Sequence, residues 1–289
     1  MRLFHALLAS SLLALTMAGC AKPISQNSVA NSPAVMRDET VTGSVLKSAS
    51  ARLDQTMPNR LSSVGRLAGR TLEVATTSDI VLRPGEVILT FDDGPRAGKT
   101  PKILNTLDRY GVKATFLMLG SAAQANPALA REVAARGHTV GSHTFDHANL
   151  TNLSRQAALD EIVRGEAAVA EALGGAEKLS PFFRFPYLAQ TGFLRTSLLH
   201  GDMVVLDVDI DSKDYYQESA QTVANRALGR LEGRGSGIIL FHDIHQRTVD
   251  LLPGFLDELE ARGYSVVRLV PKAQGVFGRS IITAEAGGL

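Results

Sequence analysis

From Glu86 onward the chain alternates short runs of β-branched and aromatic residues with longer segments of helical periodicity. This alternation is typical of βα units around a largely parallel sheet. About seven strands and their helices over roughly 190 residues predict a short or distorted α/β barrel, with a doubly wound open sheet as the alternative. The predicted strands are Val87–Phe91, Ala114–Leu119, Thr139–Ser142, Phe182–Phe185, Met203–Val208, Gly237–Phe241 and Ser265–Leu269. The best-marked helix is predicted from Ser154 to Leu173, ending at Gly174.

The first 20 residues resemble a bacterial lipoprotein signal. Arg2 precedes the apolar stretch Leu3–Met17, and two small residues come directly before Cys20, the single cysteine. The stretch is shorter than the about 20 apolar residues of a membrane-spanning helix. The resemblance implies export, a lipid on Cys20 and a place at the periplasmic side of a bacterial membrane. Ala21, where a retention signal often has Asp, slightly favours the outer membrane; an ordinary cleaved signal or an uncleaved anchor is the alternative.

Residues 21–85 are predicted to form a flexible tether. As far as about Arg70 they are rich in Ser, Asn, Thr and Ala, lack a sustained period and contain no aromatic residue. A marginal helix over Ser44 to Leu67 is compatible with this composition. Residues 86–272 are predicted to form the folded catalytic domain, and residues 273–289 a tail.

Charge and cysteine content exclude several classes of partner and site. A formal net charge of +1 offers no electrostatic basis for binding nucleic acid or an acidic membrane surface, and it suits a neutral ligand. One cysteine permits neither an intramolecular disulfide nor a cysteine-based metal site. Any metal site must therefore use histidine and carboxylate ligands.

Two adjacent carboxylates, Asp92 and Asp93, directly follow a predicted buried strand and precede Gly94-Pro95. The carboxyl ends of parallel strands are where α/β proteins place their sites. Neighbouring residues on an extended chain point to opposite sides, so one carboxylate can bind a metal while the other transfers a proton. The alternative is a turn whose acids cap backbone amides, because turns select Asp and Gly.

Two histidines, His143 and His147, follow another predicted strand with i, i+4 spacing. On a helical turn this spacing places both imidazoles on one face, with about 5–6 Å between Cβ atoms. Catalytic zinc takes imidazole and carboxylate ligands and keeps one position open for water, so two histidines and one aspartate would satisfy it. Either histidine alone is more often a surface or capping residue, but the pair at a strand end favours metal binding.

Five separated segments, in this order, resemble the five motifs of the polysaccharide deacetylases of the NodB-homology type, carbohydrate esterase family 4. They are Thr-Phe-Asp-Asp-Gly-Pro at 90–95, His-Thr-Phe-Asp-His at 143–147, Arg-Phe-Pro-Tyr at 184–187, Asp-Ser-Lys-Asp-Tyr at 211–215 and Leu-Phe-His at 240–242. The resemblance extends from about Glu86 to Leu269. It implies a distorted (β/α)7 barrel, in agreement with the strand count, and a metal-dependent N-deacetylase.

The resemblance also implies the ligands of the metal. Asp93, His143 and His147 match the metal-binding positions of the family. The implied cofactor is a divalent metal, with Zn²⁺ as the first choice and Co²⁺ or another transition metal as the alternative.

The same resemblance implies roles for five further residues. Asp92 would be the general base that takes a proton from the attacking water, and Arg184 would pair with it. His242 would protonate the leaving amine, and Asp214 would hold its imidazolium, although Asp211 could take part of that role. The backbone N–H of Tyr187 would help to hold the oxyanion.

The fourth motif departs from the family at Tyr215, where Trp is usual; the chain contains no Trp. The apolar wall beside the acetyl pocket is therefore predicted to be narrower or more polar, and stacking on a sugar must come from Tyr187, Tyr215, Tyr216 or phenylalanines. This departure bears on the choice of glycan more than on the chemistry.

Three functions remain open at this point. The first is removal of N-acetyl groups from N-acetylglucosamine units of peptidoglycan, poly-N-acetylglucosamine or chitin-like oligomers. The second is an O-acetyl esterase acting on an acetylated polysaccharide such as xylan, since the same activated water would attack an ester. The third is a catalytically inactive glycan-binding lipoprotein, which predicts that a catalytic position is missing; all of them are present. No protein partner is predicted.

Overall fold

A computed structural model describes residues 67–272 of the chain. The predicted signal segment with Cys20, the tether up to residue 66, the marginal helix over Ser44 to Leu67 except its last residue, and the tail at residues 273–289 lie outside the described residues. Within residues 67–272, no helix is both long and apolar enough to cross a membrane.

The described range contains nine strands, seven α-helices and four short 3-10 helices. The strands are β1 Ala68–Val74, β2 Glu86–Asp92, β3 Thr115–Met118, β4 Thr139–Ser142, β5 Phe182–Phe183, β6 Val204–Val205, β7 Ile210–Asp211, β8 Gly237–His242 and β9 Ser265–Pro271. The helices are α1 Thr100–Arg109, α2 Gly120–Ala125, α3 Pro127–Ala135, α4 Arg155–Leu173, α5 Gly192–His200, α6 Ala220–Arg234 and α7 Gln246–Ala261.

Strand β2 is the centre of a parallel sheet. It pairs with β8 on one side and, on the other, with β3 at its carboxyl end and with the start of β9 at Glu86 and Val87. The sheet continues from β3 through β4 and β5 to β6, and from β8 to β7. In the part of the chain that the structure describes, no ladder joins β6 to β7, so the seven-stranded ring is open at that seam. The predicted distorted (β/α)7 barrel is confirmed.

Every residue of β2 is buried, because the strand packs on both faces. Val87, Leu89 and Phe91 belong to the apolar core under the helices, whereas Ile88 belongs to a second cluster with Leu117, Phe182, Val204 and Ile238 from neighbouring strands. The period of two therefore points Ile88, Thr90 and Asp92 into the barrel. This register delivers Asp92 to the inside of the ring at its carboxyl end.

Each of the seven predicted strands corresponds to an observed strand, but β1 and β7 were missed. Strand β1 corrects the predicted tether, because Ala68–Val74 pair in parallel with β9. Most of its side chains are exposed and only Val74 is fully buried, so no hydrophobic alternation marks it. It is held by main-chain hydrogen bonds and by the ion pair between Arg70 and Glu86, 2.8 Å long.

Helix α4 begins and ends where predicted. The Ser154 side chain accepts a hydrogen bond from Ala157 N, and Gly174 takes the left-handed φ of 86° that ends the helix. Gly165 lies on its buried face, against the segment that follows β4. A Cβ atom at Gly165 would lie 2.7 Å from Phe145 N and closer still to the carbonyl of Thr144. The backbones of the helix and of this segment are therefore in direct contact.

We expect Gly165→Ala to lower the free energy of unfolding by about 1–3 kcal/mol, because the added methyl group must displace main chain in a packed core. Gly229→Ala is the matched control, since Gly229 lies in α6 with nothing within 4 Å of the added atom. That change should stabilise the protein by up to about 1 kcal/mol through helix propensity. Urea unfolding followed by circular dichroism measures both; equal stability of the two variants would contradict the packing described.

Candidate metal centre and active site

The two aspartates at the end of β2 have different surroundings. Asp92, the last residue of the strand, is 1% exposed, and its Oδ1 accepts a 2.8 Å hydrogen bond from Arg184 Nη1. Asp93 takes a left-handed φ of 75°, a conformation that Asp adopts more readily than most residues. Among the described residues, its buried Oδ1 has no hydrogen-bond partner. One carboxylate is thus paired, and the other is available to a ligand.

His143 and His147 do not lie on a helical turn, which corrects the geometry expected from their spacing. The segment is irregular, with positive φ at Thr144 (71°) and His147 (61°). It nevertheless brings the two imidazoles together, with 5.0 Å between ring centroids. His143 Nε2 is 3.6 Å from Asp93 Oδ1, and His147 Nε2 is 3.5 Å from the same oxygen.

This group of three fits a divalent cation. Ligand atoms of Asp93, His143 and His147 all lie within 4.8 Å of one another. His143 donates through Nδ1 to the carbonyl oxygen of Arg184 at 2.7 Å. This bond fixes the tautomer, so the lone pair of Nε2 is available to bind a cation. The partnerless Oδ1 of Asp93 supplies the carboxylate ligand. Two imidazoles and one carboxylate form a ligand set typical of a catalytic metal site with an open position.

Burial sets the ionisation of the three groups. It lowers the pKa of His143, although the charges of Asp92 and Asp93 act in the other direction, and it also lowers the pKa of His147. Burial also raises the pKa of Asp93, although the neighbouring His143 and His242 act in the other direction. Neutral imidazole is the form that binds a metal, so the site favours the required state of both histidines.

Arg184 links four parts of the barrel. Its guanidinium is fully buried and donates to Asp92, to Thr90 Oγ1 at 2.9 Å and, through Nε, to Leu206 O at 3.0 Å. Its own carbonyl holds His143. The sequence analysis missed Thr90, although the period of two in β2 places its side chain on the same face as Asp92.

His242 is the last residue of β8 and is held by Asp214. Its Nδ1 donates to Asp214 Oδ1 at 2.6 Å and its backbone N to Oδ2 at 2.7 Å. Burial lowers the pKa of His242, but the hydrogen bond and charge of Asp214 outweigh it and raise that pKa to about 9. Thr248 also donates to Asp214, at 2.6 Å. The structure thus brings Asp214 rather than Asp211 to His242, and it adds Thr248, for which the sequence holds no signal.

Six of the eight predicted residues line one cavity of about 390 Å³: Asp92, Asp93, His143, His147, Tyr187 and His242. Arg184 and Asp214 are not part of its lining and act through their hydrogen bonds to Asp92 and His242. His242 Nε2 faces the metal group, 4.0 Å from Asp93 Oδ2. Tyr187 has a φ of 58°, is 65% exposed and packs its ring 4.5 Å from that of His147. His245, which the sequence left without a role, also lines the cavity, with its ring 5.8 Å from that of His242.

Three known proteins are similar to the chain. The peptidoglycan-N-acetylglucosamine deacetylase of Listeria monocytogenes is 35% identical over 184 residues, 63% of this chain and 38% of that protein. The chitin deacetylase of Colletotrichum lindemuthianum is 34% identical over 213 residues, 70% of this chain and 84% of that protein. The structure of a Bdellovibrio bacteriovorus peptidoglycan deacetylase aligns with a TM-score of 0.67 at 34% identity, covering 76% of this chain and 63% of that one.

Fold and site together define a parallel α/β barrel protein with a metal-binding group at the carboxyl ends of its strands. A family model described as polysaccharide deacetylase matches residues 81–199. The chain belongs to the polysaccharide deacetylase family, as the five motifs indicated. It spans less than two thirds of the Listeria and Bdellovibrio proteins.

We expect Asp93→Asn to weaken Zn²⁺ binding more than about 100-fold, because loss of a partner outside the ligand shell already costs about 10–100-fold. Asp146→Asn is the matched control, since Asp146 lies one residue before His147 but is exposed and is absent from the metal group. Isothermal titration of the metal-stripped protein measures both. Binding that is equally tight in the two variants would contradict the assignment of the ligands.

Proposed function

We propose that the protein is a metal-dependent hydrolase that removes N-acetyl groups from polysaccharides containing N-acetylglucosamine. The observation that carries the proposal is that one cavity holds a metal-binding group together with a paired carboxylate, Asp92, and a paired imidazolium, His242. Amide hydrolysis requires a base for the attacking water and an acid for the leaving amine. Similarity to a peptidoglycan-N-acetylglucosamine deacetylase and a chitin deacetylase supports this choice of substrate.

The metal ligands are Asp93, His143 and His147. These residues would hold a divalent cation, whose Lewis acidity would polarise the acetamide carbonyl and lower the pKa of water. The mixed imidazole and carboxylate set favours Zn²⁺, and Co²⁺ or another transition metal is the alternative.

Asp92 acts as the general base. The hydrogen bond from Arg184 fixes its orientation and leaves Oδ2 to accept the proton of the attacking water. Thr90 and the carbonyl of Leu206 hold the guanidinium in turn, so the base stays on rigid strands. Tyr187 contributes its backbone N–H to the oxyanion, because its turn places the residue at the edge of the cavity beside His147.

His242 acts as the general acid. With its pKa raised to about 9, its imidazole holds a proton at neutral pH and can donate it from Nε2 to the leaving nitrogen. This step is necessary because an unprotonated amide nitrogen is a poor leaving group. Asp214 stabilises the charged ring and fixes its tautomer through Nδ1.

The reaction is proposed for the cell envelope, with residues 86–272 as the catalytic domain. A lipid on Cys20 would hold the protein at the periplasmic side of a bacterial membrane, with the outer membrane slightly favoured, and residues 21–66 would allow the domain to reach its glycan. Peptidoglycan is the first choice of substrate at that place, with poly-N-acetylglucosamine and chitin-like oligomers as alternatives. Neither nucleic acid nor a protein partner is part of the proposal.

We expect the purified Zn²⁺-loaded protein to release acetate from a reduced N-acetylchitotetraose, and Asp92→Asn to slow this release by about 100-fold or more, the contribution of a general base. Asp146→Asn should keep the wild-type rate. Enzymatic measurement of acetate gives both values.

Acetylated xylan is the discriminating second substrate. Acetate released from xylan alone would contradict the amide hydrolase and leave an O-acetyl esterase. Binding of the chito-oligomer with no acetate from either substrate would leave a glycan-binding protein. Release that survives both Asp92→Asn and metal chelation would contradict the mechanism.

A further inference from the structure

One wall of the catalytic cavity is formed by Asp211 and Tyr215, the two ends of the fourth motif. The phenol of Tyr215 donates a 2.9 Å hydrogen bond to Asp211 Oδ2, and Lys213 N donates to Asp211 Oδ1 at 2.9 Å. The Tyr215 ring stands edge-on to His242, with 5.6 Å between centroids and an interplanar angle of 87°. The pair is therefore rigid and lies directly beside the proposed general acid.

The two polar side chains of this wall can only accept hydrogen bonds from a ligand. Tyr215 uses its single phenolic proton on Asp211, so its oxygen keeps only acceptor capacity. An ionised carboxylate has no donor, and each oxygen of Asp211 retains a free lone pair. A ligand on this wall must present hydroxyl or N–H groups.

The carboxylate of Asp211 carries a charge without a direct ion pair, although the guanidinium of Arg230 donates to the main-chain carbonyl oxygen of the same residue. Two carboxylates of the catalytic group have positive partners, Arg184 for Asp92 and His242 for Asp214, and the third, Asp93, belongs to the metal-binding group. In the region from residue 67 to residue 272, Asp211 has no Lys, Arg or His within ion-pair distance. The nearby ammonium of Lys213 lies over the ring of Tyr216, 5.3 Å from its centroid. The wall therefore repels a carboxylate on the substrate.

From these contacts we propose that Asp211 and Tyr215 determine substrate specificity, selecting sugars with free hydroxyl groups at this wall and disfavouring sugars that carry a carboxylate there. The inference rests on the proposed function, because it concerns the same cavity. It predicts that an uncharged N-acetylglucosamine unit is deacetylated in preference to an acid-bearing unit such as N-acetylmuramic acid. In place of an apolar stacking wall, the chain uses hydrogen-bond acceptors and one negative charge.

The test compares two substrates of equal length, N-acetylchitotetraose and its 3-O-carboxymethylated derivative, which carries its carboxylate at the same position as N-acetylmuramic acid. The measurement is kcat/KM for acetate release by the Zn²⁺-loaded full-length chain. The wild type should prefer the neutral oligomer. Asp211→Asn should reduce this preference about fivefold, the factor expected from one charge acting over about 8 Å through a partly solvated site. Added salt should reduce the preference in the wild type and have less effect on Asp211→Asn.

Asp202→Asn is the matched control. It removes the same charge from an exposed residue outside the cavity, and its left-handed φ of 56° is tolerated by Asn. Its preference should equal that of the wild type. Tyr215→Phe separates hydrogen bonding from charge: it should raise KM for the neutral oligomer several-fold with little change in kcat.

The outcomes separate this inference from the proposed function. If the wild type releases acetate but Asp211→Asn keeps the full preference, or Asp202→Asn loses it equally, the specificity assignment is overturned and the deacetylase is not. If the wild type releases acetate from neither oligomer, the proposed function itself fails. An unchanged KM in Tyr215→Phe would remove the phenol from the assignment.

Discussion

The buried ion pair between Arg184 and Asp92 is the interaction on which the site depends. A charge inside a barrel is costly unless it is paired and its remaining hydrogen-bonding groups are satisfied. Arg184 is paired with Asp92 and donates further to Thr90 on β2 and to the main chain after β6, while its carbonyl orients His143. Of its side-chain nitrogens, only Nη2 has no hydrogen-bond partner within residues 67–272. The same residue therefore holds both the proposed base and one proposed metal ligand. Loss of its charge would leave Asp92 buried without a partner.

Histidines that line the same cavity are driven to different ionisation states by burial and by a neighbouring carboxylate. Burial lowers the pKa of His143 and of His147, whereas Asp214 overcomes burial at His242 and raises its pKa to about 9. Two neutral rings suit ligation, and one charged ring suits proton donation. Divergent pKa values of neighbouring groups are how a single site supports both acid and metal chemistry at neutral pH.

The substrate side of the cavity is built differently from its catalytic side. The base and the acid are fixed by buried hydrogen bonds, but Tyr187 and Tyr215 are exposed around the cavity mouth, 65% and 41% respectively. Tyr215 in place of the usual Trp was expected to make the wall more polar. In the structure, the phenol of Tyr215 donates its hydrogen bond to Asp211, so the wall offers acceptors and a negative charge. Composition alone could not show this.

Much of the fold and of the site could be predicted from local patterns in the sequence. The strands and α4 follow from short-range periodicity and end signals, and five motifs named the groups that meet in the cavity. Strand β1 was not predicted because it is an exposed edge strand. Strand β7 was not predicted because Ile210 stands alone between aspartates, whereas the equally short β5 and β6 lie in apolar runs. The helical turn expected for His143 and His147 was wrong, since the neighbouring main chain takes left-handed conformations that spacing does not encode.

The sequence by itself determined which chemical groups stand at the strand ends, because strand period and motif order are local properties of the chain. Only the tertiary structure decided their partners. Arg184 reaches Asp92 across 92 residues, and Thr248 reaches Asp214 across 34. It also decided that Asp214 holds His242 while Asp211 lines the cavity. Those choices depend on how the wall of strands curves, and this curvature is a property of the packed sheet rather than of any one segment.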